Sequence, residues 1–309
     1  MPDLSPLEQF NRDLETLRRD AASLRQKASL PDVRSDIEDI ERSLGEFPGR
    51  IAGLRARGYV LADQMDGVTK ELSQRWWQAR PMVQQHLSTE TFSIEADLRS
   101  IEAQVTQLGY LGSHPTRGGP ALTQAQVAAK ALEAKIDTIV RGLRAGYERL
   151  HTDLKRFDSL LDQVDWMLKQ VTEASFPLAN GEGAIRAVKA VWVKSEKEAK
   201  DDPAGVLYLT TQRLIFEQKQ DVVTKKVLFI TTEKQRVQRL LLEVPLERIS
   251  GAEGKKMGLM GHEDHLGVML SPADPVEVAR FHIDGQDCNL WQSQVTQARR
   301  GEWASLALA

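Results

Sequence analysis

The sequence feature that most constrains the fold is a short segment, residues 207–216, in which two apolar runs flank a polar turn. The runs, Leu207–Leu209 and Leu214–Phe216, are rich in residues that favour strands. Two such runs joined by a few polar residues are typical of a tight β-hairpin. Because the pattern before residue 180 is helical, this hairpin indicates a second module of a different class.

Length and composition limit what the chain can be. At 309 residues, with 41% hydrophobic and 28% charged residues, it matches a folded protein of two domains. The formal net charge of -3 argues against a dedicated nucleic-acid binder. The single cysteine, Cys288, excludes an internal disulfide and fits a reducing compartment. Neither a secretory signal nor a run of about 20 apolar residues is present, so we expect a cytoplasmic protein with at most peripheral membrane contact.

Apolar residues in the first half recur in alternating steps of three and four. The first seam is Leu7, Phe10, Leu14, Leu17, Ala21, Leu24 and Ala28. Similar seams run from Leu30 to Leu72 and, across Pro81, to Leu108. This heptad spacing is typical of coiled coils. It predicts a break or kink at Gly45 and Pro48–Gly49, and then one kinked helix over about residues 50–108.

Residues 109–121 are rich in glycine and proline and predict a turn, after which Thr123 begins a further helix that reaches about Val171. Two long helices joined by a short turn fold back on each other. The sequence therefore predicts an antiparallel coiled-coil hairpin within residues 1–176. The narrow seam of residues 7–28 needs a partner, either another part of this arm or a second copy of the chain, which would make the protein a homo-oligomer.

The second half contains short strand candidates at close spacing. They cover residues 185–193, 205–209, 213–218, 227–231, 237–243, 246–249, 265–270 and 278–283. Short, evenly spaced strands favour an antiparallel sandwich or barrel. A final amphipathic helix, with Trp291 on its apolar face, caps this module. We expect a linker at 177–183, the strand module at 184–303 and a tail at 304–309.

The hairpin also carries a family resemblance. The segment Gly205–Phe216, which reads GVLYLTTQRLIF, resembles the hairpin of GRAM and bacterial pleckstrin-homology-like (PH-like) domains, and Pro245–Ile249 resembles the strand that follows it there. Trp291 takes the place of a core residue on their capping helix. The resemblance implies an α+β multidomain chain whose second module is a seven-stranded PH-like barrel. It also implies a non-catalytic module that docks lipid headgroups or protein partners.

Two segments of this module are candidate binding surfaces. The first loop offers the evenly spaced Lys194, Lys197 and Lys200, but Glu196, Glu198, Asp201 and Asp202 largely cancel their charge. High-affinity phosphoinositide binding is therefore not expected. The second segment combines two cations with three flexible apolar side chains beside glycines: Lys255, Lys256, Met257, Leu259 and Met260. It suits shallow insertion among anionic headgroups or an adaptable peptide-binding lip, and its plainer interpretation is an ordinary strand connection.

No other group of residues indicates a catalytic or metal-binding site. His262 and His265 have a spacing that can share a metal on a helix, but flanking glycines disfavour a helix there. No phosphate loop, dinucleotide fingerprint or nucleophile elbow occurs, so we expect neither enzyme activity nor a metal or cofactor. The sequence favours a scaffold or adaptor that docks a protein partner or an anionic membrane surface. The alternative is a peripheral membrane-remodelling protein, similar in outline to phage-shock proteins, that binds anionic lipid directly.

Overall fold

The computed structural model describes residues 5–111, 115–195, 198–227, 230–258, 261–271 and 277–302, and at residues 115 and 221–236 it describes the backbone alone. The helices of the first half are α1 (Pro6–Ala28), α2 (Pro31–Ala56), α3 (Ala62–Tyr110), α4 (Pro115–Ala145) and α5 (Glu148–Thr172). The second half contains β1 (Ala184–Val193), β2 (Ala204–Thr210), β3 (Arg213–Val227), β4 (Ile230–Pro245), β5 (Ile249–Met257), β6 (Glu263–Leu270), β7 (Val278–Asp284) and α6 (Cys288–Arg299).

The chain divides into two compact units. The first, the helical unit, comprises residues 1–45 and 70–155. The second, the sheet unit, comprises residues 46–69 and 156–309, and so combines all seven strands with parts of helices α2, α3 and α5. The predicted boundaries at residues 176 and 184 stay a prediction, although the helices do end at Thr172 and the strands do begin at Ala184.

The helical unit closes the seam of residues 7–28 within the chain. Of its predicted residues, all but Leu7 are buried, and α1 packs on α4. Ion pairs flank the seam, from Arg25 to Glu102 on α3 and from Lys27 to Glu133 on α4. The seam therefore has its partner in its own chain, and the sequence argument for a second copy at this surface no longer applies.

Several predicted helix boundaries are wrong. The continuous helix expected over residues 50–108 is interrupted at residues 57–61, where Gly58 adopts a φ of 85°, a conformation that favours glycine. The break expected at Gly45 and Pro48 does not occur, because α2 continues to Ala56. Helix α4 begins at Pro115 rather than Thr123, as suits a proline in a first turn, and it ends at Ala145, so α5 is a separate helix.

The strands form one antiparallel sheet in the order β4-β3-β2-β1-β7-β6-β5. The chain is thus a helical region followed by a seven-stranded antiparallel sheet and a C-terminal helix. Strands β4 and β5 are the two ends of this order, so closure into a barrel is not confirmed. The separate strands predicted at 227–231 and 237–243 belong to one long β3–β4 hairpin, and residues 246–248 form a 3-10 helix instead of a strand.

Strands β2 and β3 are buried on both faces, and one of these faces carries the aromatic core that α6 covers. Trp192, Phe216 and Phe281 form an aromatic cluster with centroid separations of 5.3–6.1 Å. Trp291 of α6 is fully buried, as predicted, and its indole donates to Gln286 Oε1 at 2.7 Å. Helix α6 begins close against β5, because a Cβ at Gly254 would lie 2.6 Å from the carbonyl oxygen of Cys288. The opposite face of β5, β6 and β7 is not covered by α6.

Candidate functional site

The polar residues of the β2–β3 hairpin are occupied inside the sheet unit. Glu182, whose side chain is fully buried, accepts hydrogen bonds from Thr210 Oγ1 at 2.5 Å and from Arg213 Nε and Nη2 at 2.9 Å. Arg213 also donates to the Pro177 carbonyl at 2.7 Å and pairs with Glu243. Burial would raise the pKa of Glu182, but the hydrogen bonds from Arg213 and Thr210 outweigh it and hold the pKa below its usual value.

A second buried carboxylate, Glu217 on β3, fastens the end of α5 to the same hairpin. It accepts hydrogen bonds from the Ser175 backbone N–H at 2.6 Å and from Tyr208 Oη at 3.2 Å, and it pairs with Lys219 at 3.1 Å. Burial acts to raise the pKa of Glu217, and the hydrogen bonds, led by the one from Ser175, lower it overall. We call these two networks, centred on Glu182 and Glu217, the hairpin anchor. They serve the fold and leave the hairpin's polar groups unavailable to a ligand.

The other end of the sheet has an outward face that is open. Directly opposed residues of antiparallel strands point to the same side, so the register defines rows across this face. One row runs Lys255–His265–His282–Val191, and the next runs Glu253–Gly267–Arg280–Val193. A third consists of Gly251, Met269 and Val278. These rows bring together side chains from the consecutive strands β5, β6 and β7 and from the more distant strand β1.

Glycine explains why this face is concave. Gly267 has no side chain between Glu253 and Arg280, and the Met269 methyl lies over Gly251, where a Cβ would come within 2.7 Å of it. The result is a cavity of about 630 Å³, which we call the β5–β7 groove. Its apolar members Met257, Met269 and Val278 are 37–40% exposed, which is unusual for side chains of this size within a sheet. Its polar members include Glu253, Lys255, His265 and Arg280.

The charge of the groove is mixed. Within the described residues no ion pair engages Lys255 or Arg280, and both side chains are exposed. They share the groove with Glu253 and Glu263, so the cavity presents both signs at close range. A surface with flexible methionines and both signs of charge can bind a peptide segment through apolar anchors and ion pairs. It lacks the convergent cations that clustered phosphates require.

The first loop borders the groove through Glu198, but neither of its described lysines, Lys194 and Lys200, lines it. Glu198 lies 2.6 Å from His282 Nδ1, and the ring of His282 stacks on that of His265 with centroids 4.8 Å apart. Asp202 accepts the backbone N–H of Ala199 at 2.8 Å and shapes the loop from within. Lys194 and Lys200 are exposed, and Lys197 lies outside the described residues. Glu198 and Asp202 therefore have structural roles beyond the expected cancellation of charge.

The second predicted segment is a strand where a loop was expected. Lys255, Lys256 and Met257 end strand β5, and Leu259 and Met260 lie outside the described part of the chain. Lys255 and Met257 line the groove, as a peptide-binding lip requires. Lys256 points to the other face, where its ammonium pairs with Asp264 at 2.5 Å and Asp287 at 3.0 Å. The hydrogen bond to Asp264 raises the pKa of Lys256 above its usual value. This lysine joins β5 to the start of α6.

Asp264, Asp287 and Cys288 bring their ligand atoms within 4.8 Å of one another, which is a spacing that a metal ion could use. Lys256 already supplies a cation to both carboxylates, and the Cys288 backbone N–H donates to Asp264 at 2.8 Å. The buried Cys288 has a raised pKa, first because of burial and then because of Asp264. A neutral thiol beside an internal ion pair does not fit a resident metal.

Sequence reasoning missed most of the groove. It did not include Glu253, Met269, Val278, Arg280 or the paired rings of His265 and His282. The sequence of strands β6 and β7 contained a signal, because apolar residues at every second position predict one buried face and place the residues between them on the outward face. Strand β5 gave no such signal, because Ile249–Met257 contains two glycines, two lysines and only one β-branched residue.

Comparisons with known proteins add little. No family model matches the sequence, and no curated protein matches it. Among solved structures, the Vps36 N-terminal PH domain matches at 15% identity over 42% of this chain and 87% of its own, with a TM-score of 0.29. A DUF1696 family protein with a pleckstrin-homology domain from Shewanella loihica PV-4 matches at 16% identity over 44% of this chain and 92% of its own, with a TM-score of 0.25.

A larger structure, the PDZ-RhoGEF DH/PH domains in complex with activated RhoA, matches at 14% identity over 96% of both chains, with a TM-score of 0.28. All these TM-scores are below 0.5, so the likeness carries no argument about activity or partners. None of these comparisons shows that the chain belongs to the GRAM family. Among the described residues, no helix combines the length and apolar character needed to span a membrane.

Proposed function

We propose that this chain is a non-catalytic scaffold whose β5–β7 groove docks a segment of a protein partner. The observation that carries the proposal is the groove itself: Met257, Met269 and Val278 stand uncovered beside two cations that no described carboxylate engages. Depressions lined by apolar side chains with a few charged groups are the usual form of peptide-binding sites. The helical unit then acts as the spacer or assembly part of the scaffold.

The local charges favour a protein segment over a lipid headgroup. Lys255 and Arg280 alternate with Glu253 and Glu263 around the apolar floor. A partner segment with one apolar anchor between charges of opposite sign complements this pattern. An anionic membrane surface meets repulsion from both glutamates, and Lys256 is held by Asp264 and Asp287. The membrane-remodelling alternative therefore has the weaker support.

The test is selection of peptides on the intact protein. A displayed random-peptide library is selected on the immobilised wild-type chain, and the affinities of recovered peptides are measured by fluorescence anisotropy. Gly267→Val fills the groove floor, and it is compatible with folding because a Cβ at Gly267 comes no closer than 3.8 Å to its neighbour, the Glu253 carbonyl oxygen. We expect Gly267→Val and Arg280→Glu each to weaken the selected peptides at least tenfold, about 1.4 kcal/mol.

The matched control is Arg239→Glu, which reverses the charge of an exposed arginine on β4 of the same sheet. It should leave peptide affinity unchanged. Recovered peptides that bind wild type and Gly267→Val equally would contradict docking in the groove, as would a library that yields no specific binder.

Vesicles of phosphatidylcholine with increasing phosphatidylserine test the alternative. We expect no co-sedimentation at any composition. Binding that rises with phosphatidylserine and is abolished by Lys255→Glu would instead favour the membrane function.

A further inference from the structure

Helix α3 carries a second, outward set of apolar residues that the core of the helical unit does not bury, although the Arg80 guanidinium lies over the Trp77 ring, 5.0 Å from its centroid. Trp77, Met82 and Phe92 are 62%, 65% and 70% exposed, although the buried seam of the same helix passes through Trp76, Val83 and Leu87. Trp76 and Trp77 therefore differ, because the first ring lies in the core and the second on the surface. Isolated exposed apolar side chains are common, but two aromatic rings on one side of one helix, with a methionine beside them, are not.

The spacing of this surface is that of a helix-packing seam. Trp77, Pro81, Gln85, Ser88 and Phe92 follow one another in steps of four, four, three and four, so they lie along one side of the helix. All five are exposed, and Met82 lies beside them. We call these six residues the α3 patch. None of them is charged, and depletion of charge together with exposed aromatic and methionine side chains distinguishes the centre of protein interfaces.

From this surface we infer that two copies of the chain associate, with their α3 helices packed antiparallel across a two-fold axis between Gln84 and Gln85. Such an interface requires a patch that is complementary to itself. Trp77 and Phe92 lie on opposite sides of that axis, about 11 Å from it at 1.5 Å per residue. Trp77 of one copy therefore faces Phe92 of the other. The inference goes beyond the proposed function and does not depend on the β5–β7 groove.

A shallow groove beside the axis fits this arrangement. It has a volume of about 260 Å³, lies between α2 and α3, and is lined by Ile37, Gln84, Leu87 and Ser88. Under the same symmetry the grooves of the two copies lie next to each other, on the side of the interface away from Met82. The rim carries one cation, Arg34, and one anion, Glu38, so two copies of the rim meet without net repulsion.

The size of the patch is sufficient for a dimer. Large side chains of this kind bury about 150–250 Å² each. At their observed exposure, the three apolar side chains contribute roughly 300–450 Å² per copy, and with the flanking polar residues the two copies reach about 1,000 Å², the lower bound of specific interfaces. The seam of residues 7–28, in contrast, is already covered by α4 and offers no comparable surface.

The first test measures mass in solution. Sedimentation equilibrium of the full chain from about 1 to 100 μM should show a dimer for the wild type, and the double variant Trp77→Ser, Phe92→Ser should raise the dimer dissociation constant at least 100-fold. Val127→Ser is the matched control, because Val127 is an equally exposed apolar residue (62%) on α4. A wild type that is monomeric at 100 μM, or a dimer that the double variant does not weaken, would overturn the inference.

The second test locates the axis. Gln85→Cys places a thiol beside it in a chain whose own Cys288 is buried, so mild oxidation should give a disulfide-linked dimer on a non-reducing gel. Lys130→Cys, at an exposed position of α4, should remain monomeric. Cross-linking of Lys130→Cys but not of Gln85→Cys would show that copies meet through another surface. Binding of wild-type monomers to vesicles, lost in the double variant, would show that the α3 patch contacts lipid instead.

Discussion

The two ends of the sheet differ in what their side chains do. At the β2–β3 end, Glu182 and Glu217 are completely buried, and every polar group of the hairpin anchor is directed at another part of the same unit. At the β5–β7 end, Lys255 and Arg280 have no such partners among the described residues, and apolar side chains are uncovered. The hairpin that is most recognisable in the sequence is therefore the structural part, and the less recognisable strands offer the binding surface.

The largest difference between the two ends should appear when one arginine is removed from each. Arg213→Met leaves the buried carboxylate of Glu182 without its cation, which should lower the free energy of unfolding by about 3–5 kcal/mol. Arg280→Met, at the open end, should change it by no more than about 0.5 kcal/mol. Urea unfolding followed by circular dichroism measures both. Equal effects of the two substitutions would remove the distinction between the ends.

Acid should weaken the hairpin anchor. The folded state lowers the pKa of Glu217 and of Glu182 below the ordinary 4.5, so their contribution to stability is complete above about pH 4.5 and declines as the pH falls through the folded-state pKa. Glu217→Gln should lower the free energy of unfolding by about 2 kcal/mol at pH 7, because the buried donors around it lose a charged acceptor. Its unfolding free energy should also fall less steeply between pH 5 and 3. Unfolding curves that stay parallel to the wild type over this range would show that Glu217 does not titrate as inferred.

The smallest effect concerns two neighbouring lysines of β5. Lys256→Met breaks ion pairs to Asp264 and Asp287 and should lower the melting temperature measurably, whereas Lys255→Met should leave it unchanged. Lys255→Met should weaken peptide binding and Lys256→Met should leave it unchanged, because Lys255 lines the groove and Lys256 does not. Differential scanning fluorimetry and the anisotropy assay provide the two readings. A larger thermal effect of Lys255→Met would place that lysine in the framework of the fold.

The parts of the fold that were predictable are those where burial follows a simple period. The seams through Leu14, Ile40 and Leu98 are buried as their spacing predicts, and the hairpin at Leu207–Phe216 and the inward Trp291 are also confirmed. These features depend on local pattern alone. Helix ends were harder to predict, because Gly58 breaks a helix whereas Pro48 and Pro81 lie inside helices that tertiary packing sustains.

The site was less predictable, because it depends on the presence of strand β5 and on the register with which β5, β6 and β7 pair. Strand β5 contains Gly251 and Gly254, which disfavour a strand locally, yet Gly254 is needed for the close approach of α6. Without β5 in place, the opposition of Lys255 to His265 and of Gly267 to Arg280 could not be inferred. The lysines were found from composition, and the direction in which each one points required the register.

The hairpin anchor also holds the segment after α5 in place. Residues 173–183 would ordinarily be regarded as a flexible joint, yet Ser175, Pro177 and Ala179 are each bonded to a buried acidic or basic side chain. These bonds fix the segment to the sheet, so a displacement of the end of α5 is transmitted to strands β2 and β3. A shortened protein that starts at residue 184 would lose Glu182 and the Ser175 donor to Glu217, so separate production of the strand module has to retain at least residues 170–183.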